Sequence, residues 1–144
     1  MSLAACTLLA GCGSSSGAEA KVRATYSRLL HALASNDAAT VCELMLPANQ
    51  NQSRSALIAA AHRLATPSVA AEYKRYVTST CPPAFRDEPQ NMSGYYGLLR
   101  GSRLGAISIN GPIATAAVTA RNGRHESAIF LDAAGEWRLV IGVD

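Results

Sequence analysis

The sequence has few aromatic residues, no long apolar run and no concentration of charge of either sign. It contains one tryptophan, two phenylalanines and five tyrosines among 144 residues, and its formal net charge is +3. No stretch approaches the about 20 consecutive apolar residues that a transmembrane helix needs. The thirteen lysines and arginines are scattered, so we expect no nucleic-acid partner. The length fits one domain with a single core.

The sequence also lacks the patterns of common catalytic and metal sites. No Gly-x-Ser-x-Gly segment occurs, since Asn91-Met92-Ser93-Gly94 lacks the first glycine. No histidine lies at ligand spacing from a cysteine, as a zinc site would require. We therefore expect no metal and no cofactor.

The most specific pattern in the chain lies near its beginning. Residues 3–10 form an uncharged, mostly apolar run, which is followed by a small residue and a cysteine. The segment Leu9-Ala10-Gly11-Cys12 resembles the lipobox of bacterial lipoprotein signal peptides. The resemblance implies cleavage before Cys12 and attachment of diacylglycerol to its sulfur. It also implies a lipid-anchored protein at the outer face of the bacterial cytoplasmic membrane or in the cell envelope.

This interpretation divides the start of the chain into two parts. Residues 1–11 are the expected signal peptide, and residues 12–17 are the cysteine anchor with a flexible Gly/Ser tether. Signal peptides normally begin with basic residues, and residues 1–6 contain none, so we expect the natural start to lie upstream. The alternative is that residues 1–10 are an apolar N-terminal helical turn.

The same interpretation assigns a role to each of the four cysteines. Cys6 leaves with the signal peptide and Cys12 carries the lipid, so Cys42 and Cys81 remain. In an oxidising compartment we expect these two to form a disulfide bond. The alternative is a pair of buried free thiols.

The first half of the exported chain has the periodicity of helices. Four helices are predicted, over residues 18–34, from residue 36 or 37 to 45, over 53–65 and over 68–77. In the first helix, one apolar stripe comprises Val22, Tyr26, Leu29, Leu30 and Leu33. Residues 81–101 are rich in proline and glycine, which predicts a long connection with one helical turn.

The second half changes to an apolar period of two. Four strands are predicted, over residues 104–110, 113–120, 124–132 and 136–143. Asn122-Gly123 predicts a tight hairpin turn, because both residues accept a positive φ. The third of these strands has apolar residues on both faces, so we expect it to be buried on both sides. The expected fold class is α+β, with N-terminal helices packed on one face of a C-terminal antiparallel four-stranded sheet.

This order of elements resembles the NTF2-like, or SnoaL-like, α+β roll and its small exported lipoprotein members. The segments that carry the resemblance are Val22-Arg23-Ala24-Thr25-Tyr26, Asn36-Asp37-Ala38-Ala39 and the ending from Leu131 through Trp137-Arg138-Leu139. The domain would occupy residues 18–144. The resemblance implies a curved sheet that wraps against the helices and forms a conical pocket. Enzymatic members place Asp, His or Tyr in this pocket, but the inward positions here are mostly apolar, so we assign no catalytic residue.

Four residues are candidates for lining the pocket. They are Tyr26 and His31 of the first helix, Tyr73 of the fourth and Trp137 of the last strand. We expect a non-catalytic domain that binds a small apolar ligand or an envelope protein. The alternative is an enzyme of the isomerase or hydratase type that uses His31 or a tyrosine in the cavity. An ionisable side chain at the bottom of a well-formed cavity would favour the enzyme.

Overall fold

A computed structural model describes residues 13–47 and 52–141 of the chain. Within those residues the fold is α+β, with five helices and five strands. In chain order the elements are α1 (Gly13–Ala34), α2 (Ala38–Leu44), β1 (Met45–Pro47), α3 (Arg54–Ala65), α4 (Pro67–Asp87), α5 (Pro89–Leu99), β2 (Arg103–Asn110), β3 (Ile113–Thr119), β4 (His125–Ala133) and β5 (Glu136–Ile141).

The strands form one sheet with the order β1-β5-β4-β3-β2. The predicted antiparallel meander is present in β2 to β5. The sheet differs from the prediction by β1, which pairs parallel to β5 and makes the sheet mixed and five-stranded. β1 has only three residues and directly follows α2, so it shows no period of two, and the sequence assigned Met45 to the helix.

Burial on both faces of β4 confirms the expectation for that strand. Phe130 and Leu131 each have 0% exposure and, as neighbours on a strand, point to opposite faces. Phe130 packs against α1, where its ring meets Tyr26 edge to face at 6.4 Å between centroids. Leu131 packs in a second cluster with Leu57 of α3. Helices therefore cover both faces of the sheet, and the expectation that they cover one face is wrong.

The start of α1 also differs from the prediction. The predicted stripe is buried at Val22, Tyr26, Leu29 and Leu33. The helix begins at Gly13, however, so residues 13–17 are helical where the sequence predicted a flexible tether. Once the stripe is packed, each further residue adds one helical hydrogen bond, and the helix extends toward the N-terminus. The expected signal peptide and Cys12 lie outside the described residues.

The predicted long connection at residues 81–101 is wrong. α4 continues through Pro82 and Pro83 to Asp87, and α5 begins at Pro89, a first helical position where no backbone N–H is needed. Prolines inside a helix remove hydrogen bonds, but here tertiary contacts hold the helix on both sides of them. One contact is the disulfide bond from Cys81 to Cys42 of α2. The other is the packing of Phe85 against Tyr95 of α5, whose ring centres are 6.2 Å apart.

The β3–β4 turn lies where Asn122-Gly123 predicts it, with a different geometry. Gly123 has a φ of 83°, and it is the only one of the two with a positive φ in the described structure. The Asn122 side chain instead accepts a hydrogen bond from the Arg124 N–H at 3.0 Å. The turn is therefore closed partly by a side chain, as is common for asparagine.

Candidate functional site

The disulfide bond fixes the position of a cleft between α2, α4 and the start of β5. Cys42 of α2 and Cys81 of α4 are bonded, with their Cα atoms 5.9 Å apart, which confirms the predicted pair. The cleft has a volume of about 140 Å³. Its lining includes Cys42, Glu43, Tyr73, Lys74, Val77, Pro82, Glu136 and Arg138.

Arg138 is the central side chain of the cleft. It lies on β5 between Trp137 and Leu139, so alternation along the strand directs it to the opposite face from those two core residues. Its side chain is 14% exposed, and its Nη2 lies 3.5 Å from an oxygen of the exposed Glu136 carboxylate. Its guanidinium carbon lies 5.4 Å from the centre of the Tyr73 ring, within the range of a cation–π contact.

Arg138 Nε and the Tyr73 hydroxyl are both buried, and the hydroxyl interacts with the Arg138 side chain itself. Burial raises the pKa of Tyr73, while the positive charge and the N–H donors of Arg138 act in the opposite direction. The Tyr73 hydroxyl therefore keeps its proton at neutral pH and remains both a donor and an acceptor.

A second depression adjoins the Arg138 cleft along β5. It has a volume of about 250 Å³ and shares Glu43, Glu136 and Arg138 with the first. Its other walls include Lys21, Thr25 and Arg28 of α1, and Trp137. Arg138 thus lies between the cleft and this second depression, and both are lined by acidic and basic side chains. This arrangement suits recognition of a small polar molecule better than of a wholly apolar one.

The structure does not bring the four predicted pocket residues together. Tyr73 lines the cleft, and Trp137 lines the second depression. Tyr26 is buried in the core, and its hydroxyl hydrogen-bonds to Ser102. His31 is exposed in the last turn of α1. His31 lies five positions after Tyr26, so its side chain is on a different side of the helix.

The conical pocket that the resemblance implies is filled by side chains. The space between α1 and the sheet contains the fully buried side chains of Leu29, Leu33 and Phe130, together with Tyr26 and Trp137. The cleft lies elsewhere, and its lining includes Glu43, Lys74 and Arg138, which the sequence analysis did not assign to a site. Arg138 carries a usable signal, since it is a charged residue that interrupts an apolar run within a strand.

Tyr26 allows a prediction about alkaline pH. Burial raises its pKa, so the folded protein holds the hydroxyl proton more tightly than the unfolded chain does. The contribution of the protonated Tyr26 hydroxyl to the free energy of unfolding is complete below the ordinary tyrosine pKa of about 10. It is lost as the pH rises through the raised pKa of the folded protein. We expect Tyr26→Phe to flatten this alkaline loss, as measured by urea unfolding at several pH values. An unchanged slope in Tyr26→Phe would show that this hydroxyl is not the group responsible.

The histidines and acidic residues form no cluster that could hold a metal ion in the described ranges. His31, His62 and His125 are all exposed. Within residues 13–47 and 52–141, no group of three or more His, Cys, Asp or Glu is placed to hold a metal ion.

No family model, curated protein or solved structure matches the chain. In the part of the chain that the structure describes, none of the helices has the length and apolar character required to span a membrane.

Proposed function

We propose that this protein is an exported bacterial lipoprotein, anchored through Cys12, whose domain binds a small polar ligand at the Arg138 cleft. The observation that carries the binding role is the pair formed by Arg138 and Tyr73. A guanidinium with little exposure stacks on a tyrosine ring, and its ion-pair partner Glu136 lies 3.5 Å away and is exposed to solvent. Arg138 lies where the cleft and the second depression meet, and Tyr73 lines the cleft.

The proposed address is supported by two independent features. The Leu9-Ala10-Gly11-Cys12 segment has the lipobox pattern. The bond between Cys42 and Cys81 is of the kind that persists in oxidising compartments outside the cytosol. Because α1 begins at Gly13, a lipid on Cys12 would adjoin the helix directly and hold the domain near the outer face of the membrane.

The proposal that the domain is an NTF2-like roll is supported by the order of its elements. Helices come first, an antiparallel meander follows, and α1 packs across the sheet at Tyr26 and Phe130. Two features extend the expected pattern, namely the parallel edge strand β1 and the position of α3 on the second face. β1 pairs with β5, the strand that carries Arg138, and α3 packs on β4.

Ionisable side chains line the cleft, but the two at its centre, Arg138 and Tyr73, favour binding over catalysis. Arginine keeps its charge throughout the physiological pH range, and burial keeps Tyr73 neutral, so neither group is poised to exchange a proton near pH 7. The guanidinium supplies a fixed positive charge and directed N–H donors. The apolar wall at Val77 and Pro82 supplies a surface for the carbon skeleton of a ligand.

One experiment tests both parts of the proposal separately. Bacteria express the wild-type chain, Cys12→Ser, Arg138→Gln or Tyr73→Phe, and the protein from each membrane and soluble fraction is studied by native mass spectrometry. We expect wild type in the membrane fraction with a bound small molecule. Cys12→Ser should be released from the membranes by a high-salt wash that leaves wild type bound, and it should keep the ligand. Arg138→Gln should stay in the membrane fraction without it.

The matched controls distinguish a binding role from a structural one. Tyr73→Phe removes only a hydroxyl and should weaken retention while the fold persists. Arg63→Gln removes the same charge from the exposed face of α3 and should retain the ligand fully. Ligand retained equally by Arg138→Gln and Arg63→Gln would refute the cleft as the binding site, and wild-type protein in the soluble fraction would refute the anchor.

A further inference from the structure

A second surface lies at the other end of the sheet, between the end of α5 and the β3–β4 turn. We call it the arginine groove and define it by Leu98, Arg100, Arg121 and Arg124. Its volume is about 480 Å³. The three arginines are scattered in the sequence, and the fold brings them to the rim of one depression.

The groove has an excess of positive charge. Glu126 is the only acidic residue in its lining, and it forms an exposed ion pair with Arg124. The guanidinium carbon of Arg100 lies over the ring of Tyr96, 5.6 Å from its centre, within the range of a cation–π contact. The stem of Arg121 packs against Gly101, where a Cβ atom would lie only 3.3 Å from it. The backbone and an aromatic ring thus hold two guanidinium groups beside the groove.

Leu98 adds an apolar element at the same place. It is 75% exposed, the largest exposed fraction among the large apolar residues of the described structure. It also borders a neighbouring groove between α4 and α5, whose lining includes Ala84, Phe85 and Tyr95. A single exposed leucine is ordinary on a protein surface. Here it separates an apolar groove from a cationic one, so the combined surface is amphipathic.

We infer that this surface docks on an anionic lipid bilayer. Amphipathic surfaces that combine arginine with leucine and aromatic residues bind at the boundary between headgroups and acyl chains. Arginine pairs with phosphate oxygens through two parallel hydrogen bonds, and anionic headgroups attract basic residues that lie close to the surface. Leu98 would enter the boundary region while Arg100 and Arg121 contact lipid phosphates. The contact goes beyond the proposed anchor, because it needs no lipid on Cys12.

The test uses the full chain with Cys12→Ser, so that no acyl group contributes. It is mixed with vesicles of phosphatidylcholine alone, or of phosphatidylcholine and phosphatidylglycerol in a two-to-one mixture, and sedimented. Neutral vesicles give the baseline from the apolar N-terminal segment. We expect clearly stronger binding to the anionic vesicles and a decrease as salt is added.

Paired substitutions locate the contact. Arg100→Gln with Arg121→Gln should weaken binding to anionic vesicles about 10- to 30-fold, since each removes a charge at the surface. Leu98→Ala should weaken it several-fold without a change in charge. The control, Arg63→Gln with Arg75→Gln, removes two charges from exposed positions on α3 and α4 and should have little effect.

Three outcomes would overturn the inference. They are no preference for anionic vesicles, an equal loss in the groove and control pairs, and no effect of Leu98→Ala. An equal loss would show that binding reports net charge alone. Because the chain tested carries no lipid, failure here leaves the Cys12 anchor standing, and failure of the anchor leaves this contact standing.

Discussion

Replacing both Cys42 and Cys81 with serine is expected to lower the free energy of unfolding by about 4 kcal/mol. The bond closes a loop with a sequence separation of 39 residues, so its loss greatly increases the conformational freedom of the unfolded chain. It is also the covalent link between α2 and α4, on which the cleft is built. Urea unfolding of the double variant and of wild type measures the difference directly.

Reduced wild-type protein provides the control for this prediction. With an excess of reductant it should unfold at the same urea concentration as the double variant, and the variant itself should not respond to reductant. Equal stability of the oxidised protein and the double variant would contradict the prediction.

Phe130→Ala is expected to lower the free energy of unfolding by about 3–5 kcal/mol. Phe130 is completely buried between α1 and the sheet, and its ring contacts Tyr26. The substitution leaves an apolar cavity at the place where the resemblance to the roll implies a conical pocket. A cavity of this kind stays dry and binds small apolar molecules. Benzene should therefore raise the melting temperature of Phe130→Ala.

The other phenylalanine is the matched control. Phe85 is half-buried between α4 and α5, so Phe85→Ala should cost about 1–2 kcal/mol and show no stabilisation by benzene. A small loss in Phe130→Ala, or an equal response of wild type to benzene, would mean that the interior is not filled as described. The domain would then have a pocket under α1, and the Arg138 cleft would no longer be the best candidate site.

Most of the regular structure follows from local patterns in the sequence. The stripe from Val22 to Leu33 and the alternation along β3 and β5 set their elements, because burial of one face has a fixed period in each case. β1 and the continuation of α4 do not follow from local patterns. β1 is three residues long and depends on its partner β5, and Pro82 stays helical because contacts on both sides hold α4.

The site could be predicted only in part. The pairing of Cys42 with Cys81 followed from counting cysteines, and Tyr73 does line the cleft. The partners of Tyr73 come from β5 and α2, which are far away in the sequence and meet only in the folded chain. Tyr26 was assigned to a pocket because it lies on the inward stripe of α1, but an inward position leads to a core as readily as to a cavity.

The arginine groove shows the same limit for surface charge. Arg100 ends α5, while Arg121 and Arg124 flank the β3–β4 turn, so the sequence shows three isolated cations. Their proximity results from the return of β2 along β3, which brings the start of β2 beside that turn.

The lipid anchor is the central claim, and the mass of the N-terminal tryptic peptide tests it most directly. Lys21 is the first basic residue after Cys12, so trypsin leaves residues 12–21 together in one peptide. From bacterial membranes we predict a peptide that begins at Cys12 and carries diacylglycerol on its sulfur. A peptide that retains Gly11 before an unmodified Cys12, recovered from the cytoplasm, would contradict the account.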